Sequence, residues 1–249
     1  MNVTYLGFNF QDKLTGNKAI REAIAFAIDR ESIIKHVLKG NATLAKSMLT
    51  PDDPYLAKNL KLIQKDIEKS KKILDDAGFK DPDGEGPQKR FKLTYKTTNN
   101  ATRVVIAKAI ASQLASVGIE VEVLSLEWGK FKKDVEDGNV QLWSLSWVGF
   151  KDPNIFNYTF ASEHFPPNGG NRGRYKNAEL DRLLAQGEAL TNQTHRKAIY
   201  EKIQQIVAKD FPYVFLWHED LVAVQNKRIK NFKVFADGRM QGLLKATKD

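Results

Sequence analysis

Apolar positions recur along this chain with two periods, and the switches between them mark out its elements. Residues 3–10 (VTYLGFNF) alternate and are rich in aromatic and β-branched side chains, the pattern of an extended strand. Over residues 17–29 the period changes: Ala19, Ile20, Ala23, Ile24, Ala27 and Ile28 form one helical stripe. Asp29 closes that helix and can cap a short second one over 31–38, which Gly40 stops. Residues 41–61 hold Pro51 and Pro54, show no clear period and read as a long irregular surface loop. A highly charged helix over 63–77 buries Ile67, Ile73, Leu74 and Ala77 and ends at Gly78. A turn cluster, DPDGEGPQ, fills 81–88.

The clearest fold signal follows. A strand over 91–97, a helix over 102–117, Gly118 and a strand over 119–126 have the lengths of a βαβ unit, which predicts a right-handed crossover and parallel strands. A short helix over 128–136 leads through Asp137-Gly138 into another strand. Residues 162–174 (SEHFPPNGGNRGR) are a Gly, Asn and Pro loop. Helices over 177–190 and 194–209 use Leu180, Leu183, Leu184 and Leu190, then Ala198, Ile199, Ile203, Ile206 and Val207. Strands are predicted over 212–217, 221–225 and 229–235, with a turn at Asp237-Gly238. The class is α/β.

The stretch over 141–160, QLWSLSWVGFKDPNIFNYTF, organises the rest. It opens as a strand, breaks at Gly149, turns at Asp152-Pro153 and closes on Phe156, Tyr158 and Phe160. Trp147 and Phe150 thereby reach an edge where the backbone turns. Flat side chains and exposed peptide groups suit a ligand wall; core packing of both aromatics is the equal alternative.

Length and composition narrow the function. The 249 residues allow one large or two small domains, and 42% apolar content is enough for a core. No apolar run is long enough to span a bilayer, and the first residues lack the basic and apolar regions of a signal peptide. Met1 leading straight into a strand predicts a cytoplasmic protein or a fragment of a longer one. The absence of cysteine excludes disulfides, thiolate metal sites and cysteine nucleophiles. The formal charge of +9 admits nucleic-acid binding or a basic scaffold. The lysines are scattered among acids, however, as solvated helix faces are; the densest run is Lys227-Arg228-Ile229-Lys230. His36, His164, His195 and His218 lie in separate segments without metal-ligand spacing, and only His164 falls in a loop that can approach the central stretch. Phosphate loops, nucleophile elbows and paired acid–base carboxylates are absent, although residues 168–174, with Arg172, could form an anion nest. An enzyme is disfavoured; no cofactor and no metal are expected.

Several segments together resemble one family. Residues 17–31 (NKAIREAIAFAIDRE) resemble its R-x-A-(x)-A-x-A-I-D-R helix, and residues 68–79 (EKSKKILDDAGF) its "ekAkkLLaeAGy" helix. Residues 114–121 (LASVGIEV) resemble L-x-x-iGI-x-v, and Trp147 through Asp152-Pro153 a Trp…Asp-Pro segment. Residues 171–181 resemble N-x-x-x-Y-x-N-x-x-x-D, while 196–204 and 212–217 resemble its R-x-x-l-Y-x-x-i-Q…P-y-x-p-L close. These pieces run in family order, and the chain resembles the C-terminal half of extracellular solute-binding proteins, family 5, the oligopeptide-, dipeptide- and nickel-binding proteins of ABC transporters.

The resemblance implies the C-terminal lobe of a type II periplasmic binding protein, a mixed sheet with flanking helices. Residues 1–249 form the lobe, with its core at about 12–217 and with 1–11 and 218–249 as hinge or returning segments against an N-terminal lobe. It implies a peptide or similar solute as ligand, a nickel chelate being the alternative, and a membrane permease as partner. It further implies an extracytoplasmic location, with a lipoprotein anchor or signal peptide in the full-length form, and no nucleic acid. Trp147, Val148 and Gly149 match positions that line the pocket in peptide-binding members; Phe150, Lys151, Trp143 and Arg172 complete the candidate set. The acid that clamps a peptide amino group in those members has no counterpart before Asp152. Lys151 points instead to an acidic ligand group or to a salt bridge with the other lobe.

Overall fold

The computed structural model describes residues 2–84, 86–235 and 240–249. Its frame is a mixed sheet of β1 (Asn2–Phe8), β2 (Ala42–Leu44), β3 (Phe91–Thr98), β4 (Ile119–Leu126), β5 (Leu142–Val148) and β6 (Tyr213–Glu219), in the order β2-β6-β1-β5-β3-β4. The βαβ unit forms as the periods predict: β3 and β4 run parallel from Phe91↔Ile119 to Thr98↔Leu126, with α4 (Ala101–Ala115) between them in sequence. β5 joins β3 in parallel only at Tyr95↔Leu142 and Lys96↔Trp143, after which the ladder stops. β1 is antiparallel to both β5 and β6, and β2 is antiparallel to β6. The carboxyl ends of β3, β4, β5 and β6 therefore share one sheet edge with the amino ends of β1 and β2.

Helices cover both faces. Against one lie α1 (Lys18–Ala27), α2 (Arg30–His36), α3 (Ile67–Asp76) and α4, packing Ile20, Ile24, Leu74, Ile110 and Leu114 on Leu6, Phe8, Leu93 and Leu142. Against the other lie α5 (Trp128–Asp137), α6 (Ile155–Phe160), α7 (Ala178–Ala189) and α8 (Gln193–Asp210), packing Phe131, Phe156, Leu180, Leu184 and Ile203 on Val3, Tyr5 and Trp143. Short polar side chains start these helices by accepting orphan amides: Asn17 from Ala19, Asp29 from Ser32, Asp66 from Lys69, Asn100 from Arg103, Asn177 from Leu180 and Asn192 from His195.

Buried cations tie segments together through carbonyls. Arg21 donates to the carbonyls of Thr15, Gly16, Asp210 and Phe211, and Arg30 to those of Ala45, Ile63 and Phe215. Burial lowers both to about 10, which leaves them charged at neutral pH.

Several expectations change. Residues 41–61 are not wholly irregular, since β2 extends the sheet edge; a strand this short leaves no period to read. α2 spans Arg30–His36 rather than 31–38, and α3 begins at Ile67 rather than 63, because Asp66 supplies the cap. Among the described residues, 221–225 alternate but have no strand partner, and of 229–235 only β7 (Ile229–Lys230) pairs, with β8 (Thr247–Lys248), across a 3-10 turn at Met240–Lys245. Asp237-Gly238 lies outside the described residues. Within residues 1–11, β1 sits between β5 and β6, with Val3, Tyr5, Leu6 and Phe8 fully buried.

Close approach of β1 and β5 depends on Gly7, where an added Cβ would lie 2.5 Å from Trp143 Cε2. Gly7→Ala is expected to destabilise the fold by about 1–3 kcal/mol, read as a lower urea midpoint with an unchanged slope.

A candidate ligand-binding edge at the end of β5

The central stretch divides where alternation alone does not. Trp143, Leu145 and Trp147 point to the same face of β5, but Trp143, the second residue of the strand, has no exposed surface, while Trp147 is half-buried at the carboxyl end. Trp143 is therefore core, a correction to its place among the candidate ligand contacts. Val148 is 72% exposed, and Gly149 turns the chain at φ 75° with open space around its Cβ position, so conformation and not crowding requires glycine there. Phe150 is half-buried against the α6–α8 side of the core, and Lys151 is exposed.

Aromatic rings and one cation build a wall around Trp147. Its ring stacks at 6.3 Å on Tyr5, which stacks at 3.8 Å on Tyr213, and it meets Tyr158 edge-on at 5.8 Å. The Arg172 guanidinium lies 4.5 Å from the Trp147 ring centroid and donates to the Tyr5 hydroxyl at 3.5 Å. Burial opposes the charge on Arg172, yet the surrounding tyrosines, Tyr5 foremost, leave its pKa raised. Burial also holds Tyr213 well above the ordinary phenol value. Gly170 permits the packing, since a Cβ there would come within 2.7 Å of both Trp147 and Tyr158. Its neighbour Asn171 fixes the loop: the buried amide donates to the carbonyls of Phe160, Ala161 and Tyr175 and accepts the Tyr175 amide. His164 meets this wall through Tyr158, its ring 6.2 Å away, and is bonded to the Asn157 carbonyl at 2.9 Å.

The acid of the Asp-Pro turn is already engaged. Arg196 holds Asp152 with both ends of its fork, at 2.6 and 3.0 Å, and that bond draws the carboxyl below its ordinary range. Arg196 also donates to the Gly187 carbonyl and lies over the Tyr55 and Tyr200 rings. Asp152 therefore anchors the loop after Gly149 to α8 and does not face the wall.

Sequence reasoning missed Trp128, 52% exposed at the first position of α5, just past the carboxyl end of β4 on the same edge. An aromatic following a strand and opening a helix was its signal. Also missed was a polar chain at this edge: Thr4 bonds Ser146 at 2.8 Å and Glu219 at 2.9 Å, and Asn2 bonds the Glu219 backbone both ways at 2.8 Å. Beside it His218 is buried, its Nδ1 at 2.6 Å from the Asn2 carbonyl. Beyond it, Leu221, Val222, Val224, Val234, Phe235 and Leu243 line an open apolar groove of about 620 Å³. Among the described residues, no group of three or more His, Asp or Glu side chains could hold a metal ion, and no helix is long and apolar enough to cross a membrane.

Two outcomes follow from these contacts. Asn171→Ala leaves several buried carbonyls and an amide unpaired, and is expected to cost about 2–4 kcal/mol by chemical denaturation. Burial lowers the pKa of His218 from 6.5. Its proton is therefore taken up more readily by the unfolded chain, so stability is complete above pH ~6.5 and declines as the pH falls below it. Urea midpoints between pH 8 and pH 5 are expected to show this decline, and His218→Gln is expected to flatten it.

Residues 1–166 match the family model described as bacterial extracellular solute-binding proteins, family 5. The oligopeptide-binding protein AppA of Bacillus subtilis is 30% identical over 246 residues, covering 94% of this chain and 44% of that protein. Heme-binding protein A of Haemophilus influenzae is 28% identical, covering 93% of this chain and 42% of that protein. The chain thus spans less than half the length of these relatives. Among solved structures, the periplasmic binding protein DppA of Helicobacter pylori, in complex with the peptide STSA, superposes with a TM-score of 0.82 at 28% identity, over 99% of this chain and 47% of that one. NikZ of Campylobacter jejuni, in complex with Ni(L-His), superposes with a TM-score of 0.84 at 25% identity, over 99% of this chain and 52% of that one. The mixed α/β sheet with flanking helices is thus about half of a type II periplasmic binding protein, and the chain belongs to the extracellular solute-binding proteins, family 5.

Proposed function

We propose that this chain is the C-terminal, ligand-binding lobe of the substrate-binding component of an ABC transporter, and that its ligand is a peptide. The observation that carries this reading is the wall at the end of β5: Trp147 held by Tyr5, Tyr158 and Arg172, next to the exposed turn at Val148 and Gly149. Such a wall offers a flat apolar surface with free backbone beside it, the pairing that an extended peptide needs. Trp147, Val148, Gly149 and Phe150 contact the ligand, Trp128 extends the wall across the same edge, and Lys151 stands at its rim. Catalysis has no part in this reading.

A second, N-terminal lobe completes the cleft. The apolar groove lined by Leu221, Val224 and Phe235 supports this, because a solvated surface of that kind is costly unless another body covers it. The relatives, more than twice as long as this chain, have the length for such a body, which supports the reading. The lobes close around the ligand by hinge motion, and the closed form is presented to a membrane permease outside the cytoplasm, with a signal peptide or lipoprotein anchor in the full-length protein.

Calorimetric titration tests the reading. The intact two-lobe protein is expected to bind peptides of three to nine residues with micromolar or tighter affinity, and this lobe alone at least about 100-fold more weakly, since half the cleft is absent. Trp147→Ala in the intact protein is expected to lose about 2–3 kcal/mol of binding energy. Peptide affinity unaffected by Trp147→Ala would place the ligand elsewhere.

A further inference from the structure

Arg172 is arranged unlike most of the sequestered arginines of this chain, although Arg103 is as sparsely held, by one 3.5 Å bond to the Ser144 carbonyl. Arg21 and Arg30 are saturated by backbone carbonyls, Arg90 pairs with Asp75 and Asp81, and Arg196 pairs with Asp152. Among the described residues, the Arg172 side chain has one flat face on Trp147 and one hydrogen bond, to the Tyr5 hydroxyl, and no carboxylate lies within ion-pairing distance of it. A guanidinium half removed from water, with most of its donors uncommitted, is an incomplete pair.

Resting on the peptide reading above, we propose that Arg172 receives a carboxylate of the ligand, making this edge selective for acidic peptides. The cation is preorganised: Trp147 supports its plane, and Asn171 holds its loop through several backbone bonds. The surroundings are rich in donors and poor in acceptors. The Tyr213 hydroxyl, in a residue only 4% exposed, and the Trp147 Nε1–H, both beside Tyr5, are buried and make no hydrogen bond of good geometry to any described residue except what they share with each other and with Tyr5. Asp152, the nearest acid along the central stretch, is neutralised by Arg196 and cannot cancel the field. A carboxylate can take the planar fork of a guanidinium with two parallel bonds, whereas an ammonium group at the same place meets like charge.

The carboxylate has two sources, a side chain or the peptide C-terminus, and the experiment separates them. Titrations of the intact protein use pentaalanine with a free C-terminus, pentaalanine amide, and pentaalanine amides carrying one Glu, Gln or Lys at each position in turn. At least one carboxylate-bearing peptide is expected to bind about tenfold or more tightly than pentaalanine amide, with the Gln and Lys series gaining nothing. A gain on freeing the C-terminus assigns that carboxylate; a gain from Glu at one position assigns the side chain. Arg172→Gln is expected to bring the ratio to within about twofold of unity, whatever its effect on the affinity of pentaalanine amide itself, and Arg172→Lys to retain part of it. A ratio near unity in the unmodified protein overturns the inference without touching peptide binding, and so does a ratio that survives in Arg172→Gln. If no pentapeptide binds at all, the peptide reading falls and this inference with it. Far-ultraviolet circular dichroism confirms that each variant is folded; if Arg172→Gln is not, the ratio is read in Arg172→Lys, where an undiminished value overturns the inference.

Discussion

Everything at the carboxyl edge of the sheet depends on where β1 lies. It runs antiparallel between β5 and β6, so alternate side chains enter different cores: Leu6 and Phe8 pack with α1 and α4, Val3 and Tyr5 with α6 and α8. Full burial of such side chains contributes roughly 1.5–3 kcal/mol each before conformational costs are taken off. The same strand sets the site. Tyr5 supports Trp147 and Arg172, Thr4 bridges to Ser146 and Glu219, and Asn2 locks the end of β6. A register shift of one residue would exchange the faces and remove Tyr5 from beneath Trp147.

Electrostatics then decides which charges are structural. The net +9 looks like a binding property until the partners are traced. Lys92 pairs with Glu120 and Glu122, Lys96 and Lys130 with Asp134, and Lys133 with Asp137, so much of the basic surface is locally answered. Exposed pairs of this kind contribute little to stability individually. The buried arginines act as cross-links: Arg21 joins the loop before α1 to the end of α8, and Arg196 joins the Asp-Pro turn to α7 and α8. Against that background the arrangement around Arg172 stands apart.

The sequence was most legible where a local period coincided with a tertiary role. The βαβ unit and helices α1, α4, α7 and α8 were readable because each has one apolar face long enough to count and a short polar cap in front of it. β2 was invisible because a strand of Ala42–Leu44 carries no period. Residues 221–225 were misread for the opposite reason: alternation is necessary for a strand but does not supply a hydrogen-bonding partner. Trp143 and Trp147 are alike to any periodic rule, being on the same face, and differ only by distance from the sheet edge, which depends on β1 and Gly7 from elsewhere in the chain. The engagement of Asp152 by Arg196 spans 44 positions and left no local trace; the family order brought both residues into view without saying that they meet.

The relatives sharpen what such an edge can encode. They share this frame, yet proteins with this half of the fold carry names or bound groups as different as a tetrapeptide, heme and a nickel–histidine complex. A frame that admits all of these cannot specify among them through its sheet or helix packing, which the two cores hold fixed. Discrimination has to come from the few side chains that the frame delivers to the rim, and among these a charge acts with the longest reach and the largest penalty for a mismatch. Where an acid faces the ligand, a cation is favoured; in this chain Asp152 is held by Arg196 and the charge over the aromatic wall is the Arg172 guanidinium, and the proposed preference for acidic peptides rests on that arrangement and not on any change in the fold.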